Sequence, residues 1–99
     1  MTAALDLGSG HRLTWYTRDG AAGHVGAVVY HPRKPGDLTC AWRGEECAGS
    51  ILFDVPGNPE QEGRPRWNVG RWEPLTLAPS LLCHCGDHGF IIDGRWVPA

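Results

Sequence analysis

Residues 89–97 read GFIIDGRWV, and this stretch decides the fold class. Two runs rich in β-branched and aromatic residues flank Asp93-Gly94. An Asp-Gly pair suits the two-residue type I′ turn, whose central residues both need positive φ. A hairpin is therefore expected here, and the same signals recur upstream. HRLTWYTR (11–18) alternates Leu13, Trp15 and Thr17 against Arg12, Thr14 and Tyr16. HVGAVVYH (24–31) is rich in strand-forming side chains, and RDGAAG (18–23) reads as the turn between the two. LTCAWR (38–43) and SILFDV (50–55) are further short runs, separated by GEECAG (44–49). RWNVGRW (66–72) and PLTL (74–77) follow, broken only by Gly70 and Pro74. With 14 Gly and 8 Pro scattered along 99 residues, no helical period survives over three turns. The one candidate helical turn is APSLL (78–82), opened by Pro79. HPRKPGD (31–37) and PGNPEQEGRPR (56–66) read as loops, the second long enough to act as a flap. These features predict a mainly β protein, a small single domain over residues 1–99 with a C-terminal hairpin at Asp93-Gly94.

A chain of this length leaves much of its surface exposed, so a metal or disulfide staple would add needed stability. Apolar residues make up 41%, enough for a modest core, and five of the residues are Trp. Nine basic residues against eleven acidic ones give a net charge of −2. Binding that rests on phosphate neutralisation calls for a basic excess, so nucleic-acid coating is excluded as the main role. Arg64, Arg66 and Arg71 could form a basic patch, but Glu60, Glu62 and Glu73 surround them and a solvated mixed-charge surface is the plainer reading. The N-terminus has no basic start followed by an apolar run, and no stretch reaches the roughly 18 apolar residues of a membrane helix. A cytoplasmic location is expected, where thiols stay reduced and four cysteines favour metal ligation over disulfides.

The chemistry concentrates in SLLCHCGDHGF (80–90). Zinc takes four ligands in a tetrahedron of thiolate sulfur and imidazole nitrogen, commonly a pair from each of two loops. Cys40 and Cys47 form one pair, and Cys83, Cys85 and His88 the other group, with Gly86 and Gly89 easing a tight turn. The expected donors are Cys40, Cys47, Cys85 and His88, with Cys83 competing for a place, in a zinc-ribbon-like staple. Buried inert cysteines with an exposed His88, or a Cys40–Cys47 disulfide, are the alternatives. His84 alternates with the cysteines and should point away. His11, His24 and His31 lie on or beside strands and read as surface residues.

The tail EPLTLAPSLLCHCGDHGFIIDGRWVPA (73–99) resembles an uncharacterised family of short proteins from actinobacteria and their phages. More distantly it resembles phage and bacterial proteins often mislabelled "ammonia monooxygenase", which share a Pro-Thr-x-x-Pro-Ser-Leu stretch followed by Cys-His-x-Phe-Ile-x-Asp-Gly. The matching residues are Pro74, Thr76, Pro79, Ser80 and Leu81, then His88, Phe90, Ile91, Asp93 and Gly94. Leu75 separates Pro74 from Thr76, and Asp87 stands where those proteins have a cysteine. They usually carry a closer cysteine pair upstream, to which Cys40 and Cys47 correspond loosely. The resemblance covers the last third of the chain. Its label implies a membrane-bound metal enzyme, which nothing in these 99 residues supports.

Some of those distant proteins lie beside ubiquitin-like conjugation genes, which implies peptidase activity there. Here that reading assigns Ser80 as nucleophile and His88 as base, with Asp87 or Asp93 orienting the imidazole. His88 cannot serve both metal and Ser80, and Ser80 after Pro79 could simply cap a turn. A zinc-bound water with Glu45, Glu46 or Asp87 as base is a further hydrolytic reading, without any metalloenzyme motif to carry it. The expected role is a small zinc-binding protein with a structural metal, a non-catalytic module meeting a protein partner, with hydrolysis as the alternative. A nucleic-acid-associated zinc module stands third.

Overall fold

The structure, a computed structural model, describes residues 4–17, 23–32, 46–56, 65–83 and 85–99. All regular elements among them are strands: β1 (Leu5–Gly8), β2 (His11–Thr17), β3 (His24–Pro32), β4 (Glu46–Leu52), β5 (Asn68–Trp72), β6 (Leu75–Ala78), β7 (Leu81–Leu82), β8 (His88–Ile92) and β9 (Arg95–Pro98). They form a four-stranded sheet in the order β1-β2-β3-β4, a β5-β6 pair and a three-stranded sheet β7-β8-β9, all antiparallel. The mainly β expectation holds.

The hairpin at Asp93-Gly94 forms as its sequence dictates. Both residues have positive φ, 51° and 74°, and Phe90 pairs with Val97 across it. The β1-β2 turn uses the same device at Ser9 (φ 55°) and Gly10 (φ 78°). Three boundaries differ from expectation. APSLL contains no helical turn among the described residues: Leu81 and Leu82 form β7, because Leu81 turns into the core while Leu82 faces solvent. His31 and Pro32 belong to β3 and not to the following loop. GEECAG is not a separator throughout, since β4 starts at Glu46 and its backbone pairs with Pro32. The loop prediction over 57–64, the turn over 18–22, the run LTCAWR with Cys40, and His84 lie outside the described residues.

Strand alternation explains the core. Leu13 on β2, Ala27 and Val29 on β3 and Ile51 on β4 point to one face. Leu75 and Leu77 of β6, Leu81 of β7, Ile91 of β8 and Trp96 of β9 cover that face, and Phe53 just beyond β4 is fully buried among them. Backbone bonds extend the β3-β4 ladder and tie the sheets to one another. Phe53 N donates to Val25 O at 2.8 Å, Trp67 N to Leu52 O at 2.8 Å, and Gly94 N to Leu75 O at 2.8 Å.

Candidate metal centre

The core-facing alternation of β2, β3 and β4 does not end in apolar residues. One step beyond the Leu13–Val29 pair, the same face carries His11 and His31, and His31 pairs directly with Cys47. All three are buried, His11 at 6%, His31 at 4% and Cys47 at 0% exposure. The expectation that His11 and His31 lie on the surface is overturned. His24 is half-buried and stacks on Trp15, with ring centroids 4.6 Å apart.

The turn between β7 and β8 closes over this polar end of the core. Cys83 N donates to Asp87 O at 2.8 Å and Gly86 N to Cys83 O at 2.9 Å. Gly86 has φ 91°, a left-handed conformation that a side chain would strain. The turn thereby presents Cys83 and Cys85 to His31 and Cys47. One ligand atom from each of these four residues lies within 4.8 Å of all the others. Cys47, Cys83 and Cys85 are thiols, so Cys47 is in no disulfide.

The imidazole is aimed for ligation. His31 Nδ1–H donates to Pro32 O at 2.9 Å, which leaves the Nε2 lone pair facing Cys85 Sγ at 3.8 Å. A backbone acceptor on the far nitrogen is the usual way a metal-binding histidine is held in one tautomer. Tetrahedral zinc, with metal–sulfur near 2.3 Å and metal–nitrogen near 2.0 Å, spaces its donors about 3.5–3.8 Å apart. The cluster can hold a metal ion.

Beside it stands a second fastening. His11 Nδ1 meets Ser9 O at 2.9 Å and Nε2 meets Asp87 Oδ2 at 2.7 Å. The two contacts hold the ring between the β1-β2 turn and the β7-β8 turn. Trp96 stacks on His11 at 4.1 Å and 9°, and His31 also stacks with His11, with ring centroids 5.4 Å apart. Asp87 Oδ2 is 3.9 Å from His31 Nδ1. The four-stranded sheet thus grips the β7-β8 turn twice, through the thiol cluster and through His11–Asp87.

The residues singled out in the sequence separate here. Cys47, Cys83 and Cys85 come together, and Cys40 lies outside the described residues. His88 does not join them. It opens β8 on the exposed face, since Gly89 takes the inward position, and its Nε2 meets Ser80 Oγ at 2.8 Å. Neither proposed orienting carboxylate serves that imidazole: Asp87 is bonded to His11, and Asp93 sits in the hairpin turn with Arg71 4.0 Å away. The cavity beside this turn is only about 100 Å³, and neither Ser80 nor His88 lines it. Of the arginines, Arg66 pairs with Asp54 at 3.0 Å, in keeping with a mixed-charge surface. His31 is the candidate donor that the sequence did not reveal. Its signal was its place four residues from Ala27 on a core-facing strand, with a cysteine across the ladder.

No protein-family model, curated protein or solved structure matches the chain.

Proposed function

We propose that the protein is a small zinc-binding domain of bacterial or phage origin, in which the metal is a structural staple and the domain serves as a non-catalytic module for a protein partner. The observation that carries this is the closed donor set. His31 of β3, Cys47 of β4, and Cys83 and Cys85 of the β7-β8 turn supply four ligands from two sheets. Three sulfurs and one imidazole suit zinc over hard cations, and four protein donors leave no position for a reacting water. Such a metal supplies folding energy. Apparent binding of structural zinc is worth about 10–16 kcal/mol, as much as the whole stability of about 5–15 kcal/mol of an ordinary domain. Three thiolates also fit a reducing compartment such as the cytoplasm.

The test is metal content by mass spectrometry on protein purified without added metal. One zinc per chain is expected, lost together with the fold in Cys85→Ser and retained in His88→Ala. A folded, metal-free wild type would overturn the reading.

One observation favours a second reading, a hydrolase: Ser80 and His88 are within hydrogen-bond distance. Against it, the pair is exposed and lacks an orienting carboxylate among the described residues. Turnover of an activated ester that vanishes in both Ser80→Ala and His88→Ala would support it. Equal background rates in wild type and variants would dispose of it.

A further inference from the structure

A cleft of about 630 Å³ opens between β1, the β5-β6 turn and the β8-β9 turn. Trp15 lines it, and Trp15 pairs with Ala27, four residues along β3 from His31. None of His31, Cys47, Cys83 and Cys85 lines the cleft, so the cleft and the thiol cluster are separate sites. Its volume falls within the range of about 300–1,000 Å³ typical of ligand sites.

The walls are two indoles. Trp15 and Trp72 stand 6.1 Å apart at 41°, and Trp72 keeps 46% of its surface exposed. Both are braced from behind: Phe53 meets Trp72 edge-on at 5.6 Å, and His24 stacks on Trp15. The hydrophobic core therefore sets the position of an aromatic surface that faces water. Around these rings three separate elements deliver charge. Asp6 comes from β1, Glu73 from the β5-β6 turn, and Asp93 from the hairpin turn, against Arg95 as the one lining cation among the described residues. Arg71 reaches Asp93 only at 4.0 Å, with both side chains more than half exposed.

An anion would meet a surplus of carboxylates here, and a purely apolar ligand would strand them. A cation gains from both features at once, because the face of an indole attracts positive charge and the carboxylates add to it. Among the described residues β1 is also the outer strand of its sheet, and its backbone borders the cleft. An outer strand gives an incoming polypeptide something to lie along, which a free amine would not use.

We propose that this cleft receives an arginine or lysine side chain of a protein partner, its charged head against Trp72 and in reach of Glu73. The proposal rests on reading the protein as an interaction module, and it does not depend on the metal.

The experiment titrates the full chain, with its metal content measured, against acetylated and amidated Gly-Gly-Arg-Gly-Gly. The Gln and Glu counterparts and free arginine are run alongside, and tryptophan fluorescence and calorimetry are read. Saturable binding of the Arg peptide is expected, about tenfold weaker for the Gln peptide and for free arginine. It should fall as salt rises from about 50 mM to about 500 mM. Trp72→Ala and, as the variant that leaves packing untouched, Glu73→Gln should each weaken it several-fold without changing metal stoichiometry or fold. Equal binding of the Gln peptide, indifference to Glu73→Gln, or no saturation by folded protein would overturn the proposal. Free arginine binding as tightly as the peptide would overturn the partner assignment in favour of a small cation. Peptide binding by a metal-free chain would sink the staple and leave the cleft standing, and a metal-loaded chain that binds nothing would do the reverse.

Discussion

Replacing Gly89 by alanine places a methyl group against the column that supports the metal cluster. A Cβ at this position would lie 2.6 Å from Cε2 and Cζ2 of Trp96 and 2.8 Å from Val97 O. Carbon atoms rest about 3.5–4.0 Å apart, so the indole must shift by about 1 Å. Trp96 is stacked on His11 at 4.1 Å, and His11 holds Asp87 at 2.7 Å. A shift of that size disturbs the stack, and Val97 O belongs to the β9 backbone that pairs with β8. Overpacking of this kind costs about 1–3 kcal/mol. For a domain of this size each kcal/mol lowers Tm by about 4–8 °C, so a cost near 2 kcal/mol corresponds to about 8–16 °C. The assay is urea and thermal unfolding of metal-loaded protein, with Gly49→Ala as control. Gly49 has nothing within 4 Å of its Cβ position. The control should be neutral or more stable by about 0.4–1 kcal/mol. If Gly89→Ala unfolds within about 0.5 kcal/mol of wild type, the size of an ordinary surface effect, the Trp96–His11 column is not the rigid support inferred here.

His31→Ala should abolish metal retention while His88→Ala leaves one ion per chain, read by mass spectrometry of dialysed protein; the opposite pattern would move the imidazole ligand to β8. Phe53→Ala should cost about 3–5 kcal/mol in urea unfolding, since Phe53 is fully buried among residues of both layers. Glu46→Gln should cost less than about 1 kcal/mol, because the Arg12–Glu46 pair at 3.0 Å is about 40% exposed on both sides. Hydrogen bonding to Glu46 holds the Arg12 guanidinium protonated further into the alkaline range than usual. A raised folded-state value gives stability that is complete below the unfolded value. The arginine side of that pair therefore adds no pH dependence to unfolding between about pH 5 and 9, so the difference between wild-type and Glu46→Gln melting curves should stay constant across that window.

What was legible in the sequence was local. Asp93-Gly94 dictates its turn through backbone sterics alone, and the alternation in 11–18 and 24–31 dictates which face of each strand is buried. The β1 strand was missed because four residues, LDLG, carry too little pattern. The helical turn at APSLL was wrong because Pro79 and two leucines are compatible with either structure, and only the packing of Leu81 against Trp67, Ile51 and Trp96 around one small cavity decides it.

Of the candidate metal cluster, Cys47, Cys83 and Cys85 were named from the sequence and His31 was not, for the same physical reason. Ligands brought together by a turn leave a spacing in the sequence, and Cys83 and Cys85 did so. Ligands brought together by a ladder leave none, because the register that sets His31 beside Cys47 is fixed by the pairs Tyr30–Ala48, Val29–Gly49 and Ala27–Ile51 further along. Cys85-x-x-His88 has a spacing that would suit a loop. It fails because β8 begins at His88 and alternation gives the inward position to Gly89. Gly89 has to be there, since any Cβ would strike Trp96. The residue that keeps His88 out of the Cys/His cluster is thus the one that lets Trp96 reach His11, and through His11 and Asp87 orders the turn carrying two of the thiols.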